Sequence, residues 1–177
     1  MAAFTVIEHD ELSSAAATWT SGTLPTTYDH LYIVVSQRVD TGTGANYSGT
    51  WQFNGDTGAN YAMTDIQTYR AGIVGTYRIS SGTALGYPNL TGEGSVANTF
   101  GTMTVWIPNY ANTSNYKPLI INSNNPNASI TDSEWSLKVT AGMWRSTAAI
   151  TSFTLGTNGT HNYMQYSNYT VYGVTGA

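Results

Sequence analysis

The chain has 177 residues, the size of one domain, and only 9% of them are Asp, Glu, Lys or Arg. Six basic and ten acidic residues, with a net charge of −4, exclude the cationic surface that nucleic acid requires. The absence of cysteine removes disulfides, thiolate metal sites and cysteine nucleophiles, while 41% hydrophobic and 12% aromatic content is too apolar for a disordered chain.

Apolar residues recur at period two rather than 3.6, which predicts strands. In chain order, the first runs from Phe4 to Glu8. Residues Leu12 to Pro25, rich in Ser, Ala and Thr around Trp19, show no alternation and are expected to form an irregular edge or an arm. The first 25 residues therefore read as a strand followed by an arm. The clearest run is Leu31 to Val39, with Leu31, Ile33, Val35 and Val39 on one face and Ser36 and Arg38 on the other. Short strands follow at Thr50–Phe53, Asp65–Arg70 and Thr76–Ser80. Met103, Val105 and Ile107 alternate with Thr102, Thr104 and Trp106. Pro118–Ile121 is next, and then Trp135, Leu137 and Val139 alternate with Ser136 and Lys138. Thr151–Leu155 and Tyr169–Val174 close the chain.

Turn clusters separate these runs at Thr41–Ala45, Asn54–Asp56, Ser80–Gly82, Thr91–Gly94, Asn122–Asn127 and Thr157–Gly159, where Asn and Gly supply positive φ. Many short strands with frequent turns predict an all-β fold, an antiparallel β-sandwich that is jelly-roll-like, over a single domain of residues 1–177. Its expected core is Ile33, Val35, Trp51, Phe53, Val105, Ile107, Leu137, Val139, Phe153 and Val171, with Trp135 also reading as core.

No constellation in the sequence points to a reaction. His9, His30 and His161 lack metal-ligand spacing, and His30 is expected to be a hydrogen-bonded structural residue at a strand start. There is no G-x-S-x-G nucleophile turn. Asp132 and Glu134 point to one side of a strand and read as a solvated strand entry rather than a glycosidase pair. The segment Asn54-Gly55-Asp56-Thr57-Gly58 has some flavour of a metal loop, but reads as a hairpin turn with Asp56 bonding nearby backbone N–H groups. Gly92-Glu93-Gly94 lacks the third glycine of a dinucleotide fingerprint. The expectation is no enzyme and no catalytic, cofactor-binding or metal residue. With no stretch near the roughly 18 apolar residues of a membrane span and no signal-peptide pattern, the expectation is no membrane partner either.

Aromatic residues are the remaining resource. Trp19, Trp106 and Trp144 are off-pattern or in loops, which makes them interface candidates. Thr43-Gly44-Ala45-Asn46-Tyr47 recurs as Thr57-Gly58-Ala59-Asn60-Tyr61, which reads either as biased composition or as two aromatic-tipped contact loops carrying Tyr47 and Tyr61.

Several stretches resemble small virion structural proteins of tailed phages, especially marine and cyanobacterial ones. They are Phe53 to Tyr61, Asn98-Thr99-Phe100-Gly101, Ile107 to Asn112, Gly142 to Leu155 and the ending Tyr169-Thr170-Val171-Tyr172-Gly173-Val174. The likeness runs from about Leu24 to Val174, and Asn162 to Tyr166 departs from it. It implies a jelly-roll-like sandwich in the virion, made in the host bacterial cytoplasm, with no catalytic residue to carry over. Two roles follow as expectations. One is a capsid decoration, or cement, protein on the capsid surface that clamps the major capsid protein and forms a homotrimer. The alternative is a tail-fibre, baseplate or head-fibre module that binds host surface glycans.

Overall fold

The computed structural model describes residues 3–41, 46–69, 73–126, 136–159 and 161–176. Among them are twelve strands: β1 (Ala3–Glu11), β2 (Thr18–Thr20), β3 (His30–Gln37), β4 (Asn46–Phe53), β5 (Tyr61–Tyr69), β6 (Ile73–Gly82), β7 (Leu85–Thr91), β8 (Gly101–Pro108), β9 (Lys117–Asn125), β10 (Ser136–Trp144), β11 (Phe153–Thr157) and β12 (Asn168–Thr175). All pairings between strands are antiparallel. They form an eight-stranded sheet in the order β1-β12-β3-β8-β9-β10-β5-β6 and a four-stranded sheet in the order β2-β11-β4-β7.

The two sheets pack as a sandwich. The four strands β1-β12-β3-β8 facing β2-β11-β4-β7 have the two-sheet strand order of a jelly roll. Strands β9, β10, β5 and β6 extend the large sheet beyond β8. The all-β sandwich expected from the period-two pattern is therefore present.

One half of the interior is aromatic. The rings of Trp51 and Phe153 stack at 4.9 Å, Phe153 meets Tyr169 at 5.3 Å, and Trp19 lies 4.6 Å from Tyr169. Eight of the ten expected core residues are buried: Ile33, Val35, Trp51, Phe53, Val105, Ile107, Phe153 and Val171. Gly173, in the closing Tyr-Gly-Val segment, permits this packing because a Cβ there would stand 2.4 Å from the Tyr28 ring.

Five expectations are corrected. Leu137 and Val139 face solvent, at 54% and 40% exposed, while Ser136, Lys138 and Thr140 face inward. Of the two readings of Leu12 to Pro25, the edge holds and the arm does not: β2 is an edge strand of the small sheet paired with β11, and Leu12 and Ala16 donate backbone hydrogen bonds to Ser167 and Tyr163. Asn122 to Asn125 continues β9 instead of turning, because Ser123 and Asn125 have buried polar surroundings to point into. β7 lies where no strand was expected; it contains Pro88 and sits at a sheet edge, where a missing N–H costs no ladder bond. The Asn54-Gly55 turn exists, with φ of 52° and 65° and the Asp56 N–H bonded to the Phe53 carbonyl at 2.9 Å. It is not a hairpin turn, however, since β4 and β5 belong to different sheets, and it makes a corner between them. Trp135 and the Thr41–Ala45 turn beyond residue 41 lie outside the described residues, as do Arg70, Asp132 and Glu134.

Candidate interaction surface

The inner face of β5, β9 and β10 is polar at one end of the sandwich. Lys138 Nζ stands 2.9 Å from Asp65 Oδ2, and both side chains are almost wholly buried. Next to this pair, polar side chains reach across to β7. Asn89 N–H donates to Ser123 Oγ at 3.0 Å, and Asn89 Nδ2 donates to Ser136 Oγ at 2.8 Å. Gln37 brackets the same strand, donating to the Asn89 carbonyl at 3.2 Å and accepting from the Thr91 N–H at 3.1 Å. This network supplies partners for buried backbone groups of an edge strand that the small sheet pairs on one side only.

Tyr61, Met63, Leu119, Ile121 and Trp144 of the same strands stay inside, but beside the polar patch several apolar residues, with Val74 of β6, lie on the outer face. Ile66, Val74, Ile120 and Leu137 are about half exposed there, and the registers place Val139 beside Ile66 and Ile120 beside Ala141. Followed across all the pairings, one row crosses the whole sheet: Val6, Tyr172, Tyr32, Trp106, Ile120, Ala141, Thr64 and Arg78, one residue from each strand. Seven strand spacings make it about 34 Å long. Tyr172, Tyr32 and Trp106 are half-buried by one another and by Phe4, whose ring stands 5.9 Å from Tyr32 and 6.1 Å from Tyr172. At the β6 end the row borders a shallow depression of about 730 Å³ lined by Pro118, Ala141, Met143 and Arg78.

Charged groups are mostly used internally. The Arg38 guanidinium donates to the carbonyls of Glu93, Ser95, Val96 and Thr99 at 2.8–3.1 Å. Burial holds its pKa below the ordinary arginine value. Lys117 donates to the carbonyls of Asn115 and Thr147, and burial likewise lowers its pKa. Arg145 donates to the Ala59 carbonyl at 2.6 Å and to Ser81 Oγ.

Of the five aromatic residues expected at an interface, three are core. Trp19 and Trp144 are 4% and 2% exposed and Tyr61 is fully buried. Each has its polar atom satisfied within the chain. Trp19 Nε1 donates to Asp10 Oδ2 at 2.6 Å, Trp144 Nε1 donates to Asp56 Oδ2 at 2.7 Å, and the Tyr61 hydroxyl donates to the Asp56 carbonyl at 3.0 Å. Desolvation pushes Tyr61 up to about 12. Tyr47 is half-buried in β4, its hydroxyl donating to the Asn158 carbonyl and its ring 4.6 Å from His161. Trp106 alone of the five lies on the outer row. The two tyrosines of the sequence echo both bond within the chain, while residues 43–45 of its first copy lie outside the described residues.

The histidines are dispersed. His30 Nδ1 accepts from the Asn109 N–H at 3.1 Å, the structural role expected of it. His9 contacts Thr170 and His161 contacts Asp40. Asp56 accepts from Trp144, Asn60 and the Gly58 N–H, so its carboxylate serves its own loop. Among the described residues, no three His, Asp or Glu side chains converge. Compared with protein-family models, curated proteins and solved structures, the chain matches none.

Proposed function

We propose that this chain is a non-enzymatic structural protein of a phage virion, a capsid decoration protein that clamps major capsid subunits through the outer face of its large sheet and associates with itself as a homotrimer. The observation that carries the reading is the apolar patch on the outer face of the large sheet, where Ile66, Ile120, Leu137 and Val139 face solvent while Lys138 and Thr140 of β10 and the neighbouring Asp65 face inward. Contiguous exposed apolar surface on a small domain marks an interaction site. A row about 34 Å long that crosses eight strands suits a protein joint better than a small-molecule pocket. Jelly rolls recur in viral shells and in lectins, which is fold-level analogy and supports both this reading and the next.

A second reading has its own observation. Tyr32, Trp106 and Tyr172 are half-exposed on the same face, with Asn122 and Thr104 beside them in register. Aromatic faces flanked by amide and hydroxyl groups suit sugars, as a tail-fibre, baseplate or head-fibre module would need. One experiment separates the two. Purified shells lacking the protein are titrated with the native chain and with Leu137→Glu and Val139→Glu. Decoration predicts hundreds of copies bound per shell and at least a tenfold loss for each variant. Absence of shell binding, with retention on host surface glycan that Trp106→Ala abolishes, overturns decoration in favour of the fibre reading.

A further inference from the structure

Four non-glycine residues among those described have positive φ: Asn54, Asn98, Asn109 and Tyr166. Asparagine enters that region readily because its short amide bonds locally, whereas a bulky side chain there is an outlier. Tyr166, at φ 71°, is that outlier. It stands third in a turn over residues 164–167, closed by the Ser167 N–H on the Met164 carbonyl at 3.1 Å. Glycine or asparagine is usual at such a position. Leu12 pins the turn from outside: its carbonyl accepts the Tyr166 N–H at 2.9 Å, and its N–H donates to the Ser167 carbonyl at 2.9 Å. Backbone strain persists where the surroundings over-determine it, and it concentrates at sites held for function. The Tyr166 side chain contributes little to the core. It is 61% exposed, and its hydroxyl has no hydrogen-bond partner among the described residues. The hydroxyls of Tyr61, Tyr163 and Tyr169, in contrast, all bond within the chain.

A second turn has the same form. Residues 96–99 are closed by the Thr99 N–H on the Val96 carbonyl at 3.1 Å, with Asn98 third at φ 65°. Arg38 ties the two turns together. Its guanidinium donates to the Val96 and Thr99 carbonyls, and its own carbonyl accepts the Met164 N–H at 2.8 Å. Asn98, Phe100, Met164, Gln165 and Tyr166, with Arg38, line a depression of about 320 Å³. It lies at the end of the sandwich where β3 stops and β8 and β12 begin. Backbone bonds fix its shape before any ligand arrives, which lowers the ordering cost of binding.

The lining narrows the ligand by elimination. The volume is at the small end of ligand pockets and suits a single ring. The Arg38 Nη hydrogens are committed to four carbonyls, so the guanidinium is not presented to a phosphate or carboxylate. Its charge also opposes an organic cation beside the Tyr166 ring. What remains is an exposed phenol with the carboxamides of Asn98 and Gln165, which both donate and accept. These groups match an uncharged sugar, whose C–H face packs on an aromatic ring and whose hydroxyls donate and accept in turn.

We propose that the depression between these two turns binds a neutral saccharide, with the Tyr166 ring stacked on the sugar and Asn98 and Gln165 bonding its hydroxyls. The site is at the end of the sandwich, apart from the outer face that carries the shell reading, and does not depend on it.

Saturation-transfer NMR on the full chain tests this, with the methyl glycosides of glucose, galactose, mannose, rhamnose and N-acetylglucosamine as probes. At least one is expected to receive saturation. Tyr166→Gly is expected to lose that transfer while its urea midpoint stays level or rises, because relief of the strained φ offsets the greater freedom of glycine in the unfolded chain. Asn98→Gly keeps the turn, since glycine adopts the same φ, and is expected to weaken binding severalfold by removing the carboxamide. A native chain that transfers saturation to none of the probes overturns the proposal. So does a Tyr166→Gly chain that binds as the native one does, or one whose midpoint falls, which would make the tyrosine a structural residue. Transfer lost in Trp106→Ala and kept in Tyr166→Gly would put the sugar on the outer face, against this site. A chain that coats shells and binds no glycoside removes the site and leaves decoration standing; one that binds a glycoside through Tyr166 and ignores shells does the reverse.

Discussion

Asp56 receives donors from Trp144, Asn60 and Gly58, and these bonds hold its carboxyl below the usual range, the Trp144 bond contributing most and those from Asn60 and Gly58 less. Its folded pKa is thus below the unfolded value of about 3.9, so its contribution is present above that pH and is lost as pH falls through the folded value. Asp56→Asn is expected to cost about 1 kcal/mol at pH 7, after allowing for its partial exposure. Urea midpoints of the two chains should converge as pH falls below the usual carboxylate range. A constant gap down to pH 2 would assign the effect to shape and not to charge. Trp144 and Trp19 show why interface residues were misjudged from sequence. Each indole sits in a position that looks unpatterned, and only the fold brings Asp56 or Asp10 to its N–H.

At the scale of elements, β10 shows what periodicity can and cannot establish. Alternation from Ser136 to Trp144 marks a strand without saying which face is inward. The apolar phase, Leu137 and Val139, was assigned to the core by the usual rule. The phase is reversed because Trp144 and Gly142 must face the small sheet and because Lys138 reaches Asp65, its diagonal neighbour on β5. Neither condition is local. In β3 and β8 both faces agree with the rule, and there the sequence reading matches the buried set. β7 and β2 were not legible at all: one is interrupted by Pro88 and the other is three residues long. The buried pair gives the second prediction. Lys138→Met leaves Asp65 charged without its ammonium partner and is expected to cost about 3–5 kcal/mol in urea unfolding. Lys138→Met combined with Asp65→Leu is expected to regain most of that loss. A double variant as unstable as the sum of the two single ones would mean that the pair does not act as a unit.

On the scale of the whole molecule, the proposed shell contact has a physical signature that can be measured. The outer face is apolar and aromatic, and among the described residues the basic side chains are largely turned inward onto carbonyls or Asp65. Surface charge attraction is screened over about 8–10 Å at physiological salt, whereas apolar burial is not weakened by added salt. Raising salt from about 50 mM to about 500 mM is therefore expected to leave shell binding level or to tighten it. Calorimetry of shell binding at several temperatures is expected to give a negative heat-capacity change, the signature of buried apolar surface. The five outer-face aliphatic residues Ile66, Val74, Ile120, Leu137 and Val139 supply that surface; each is already about half covered, so covering the rest is worth about 1 kcal/mol apiece. Leu137→Glu should reduce the heat-capacity change along with affinity, because it removes covered area. Shell binding that falls steeply with salt and shows no heat-capacity change would mean that the outer face is not the contact, and would direct attention to the acidic strand β1.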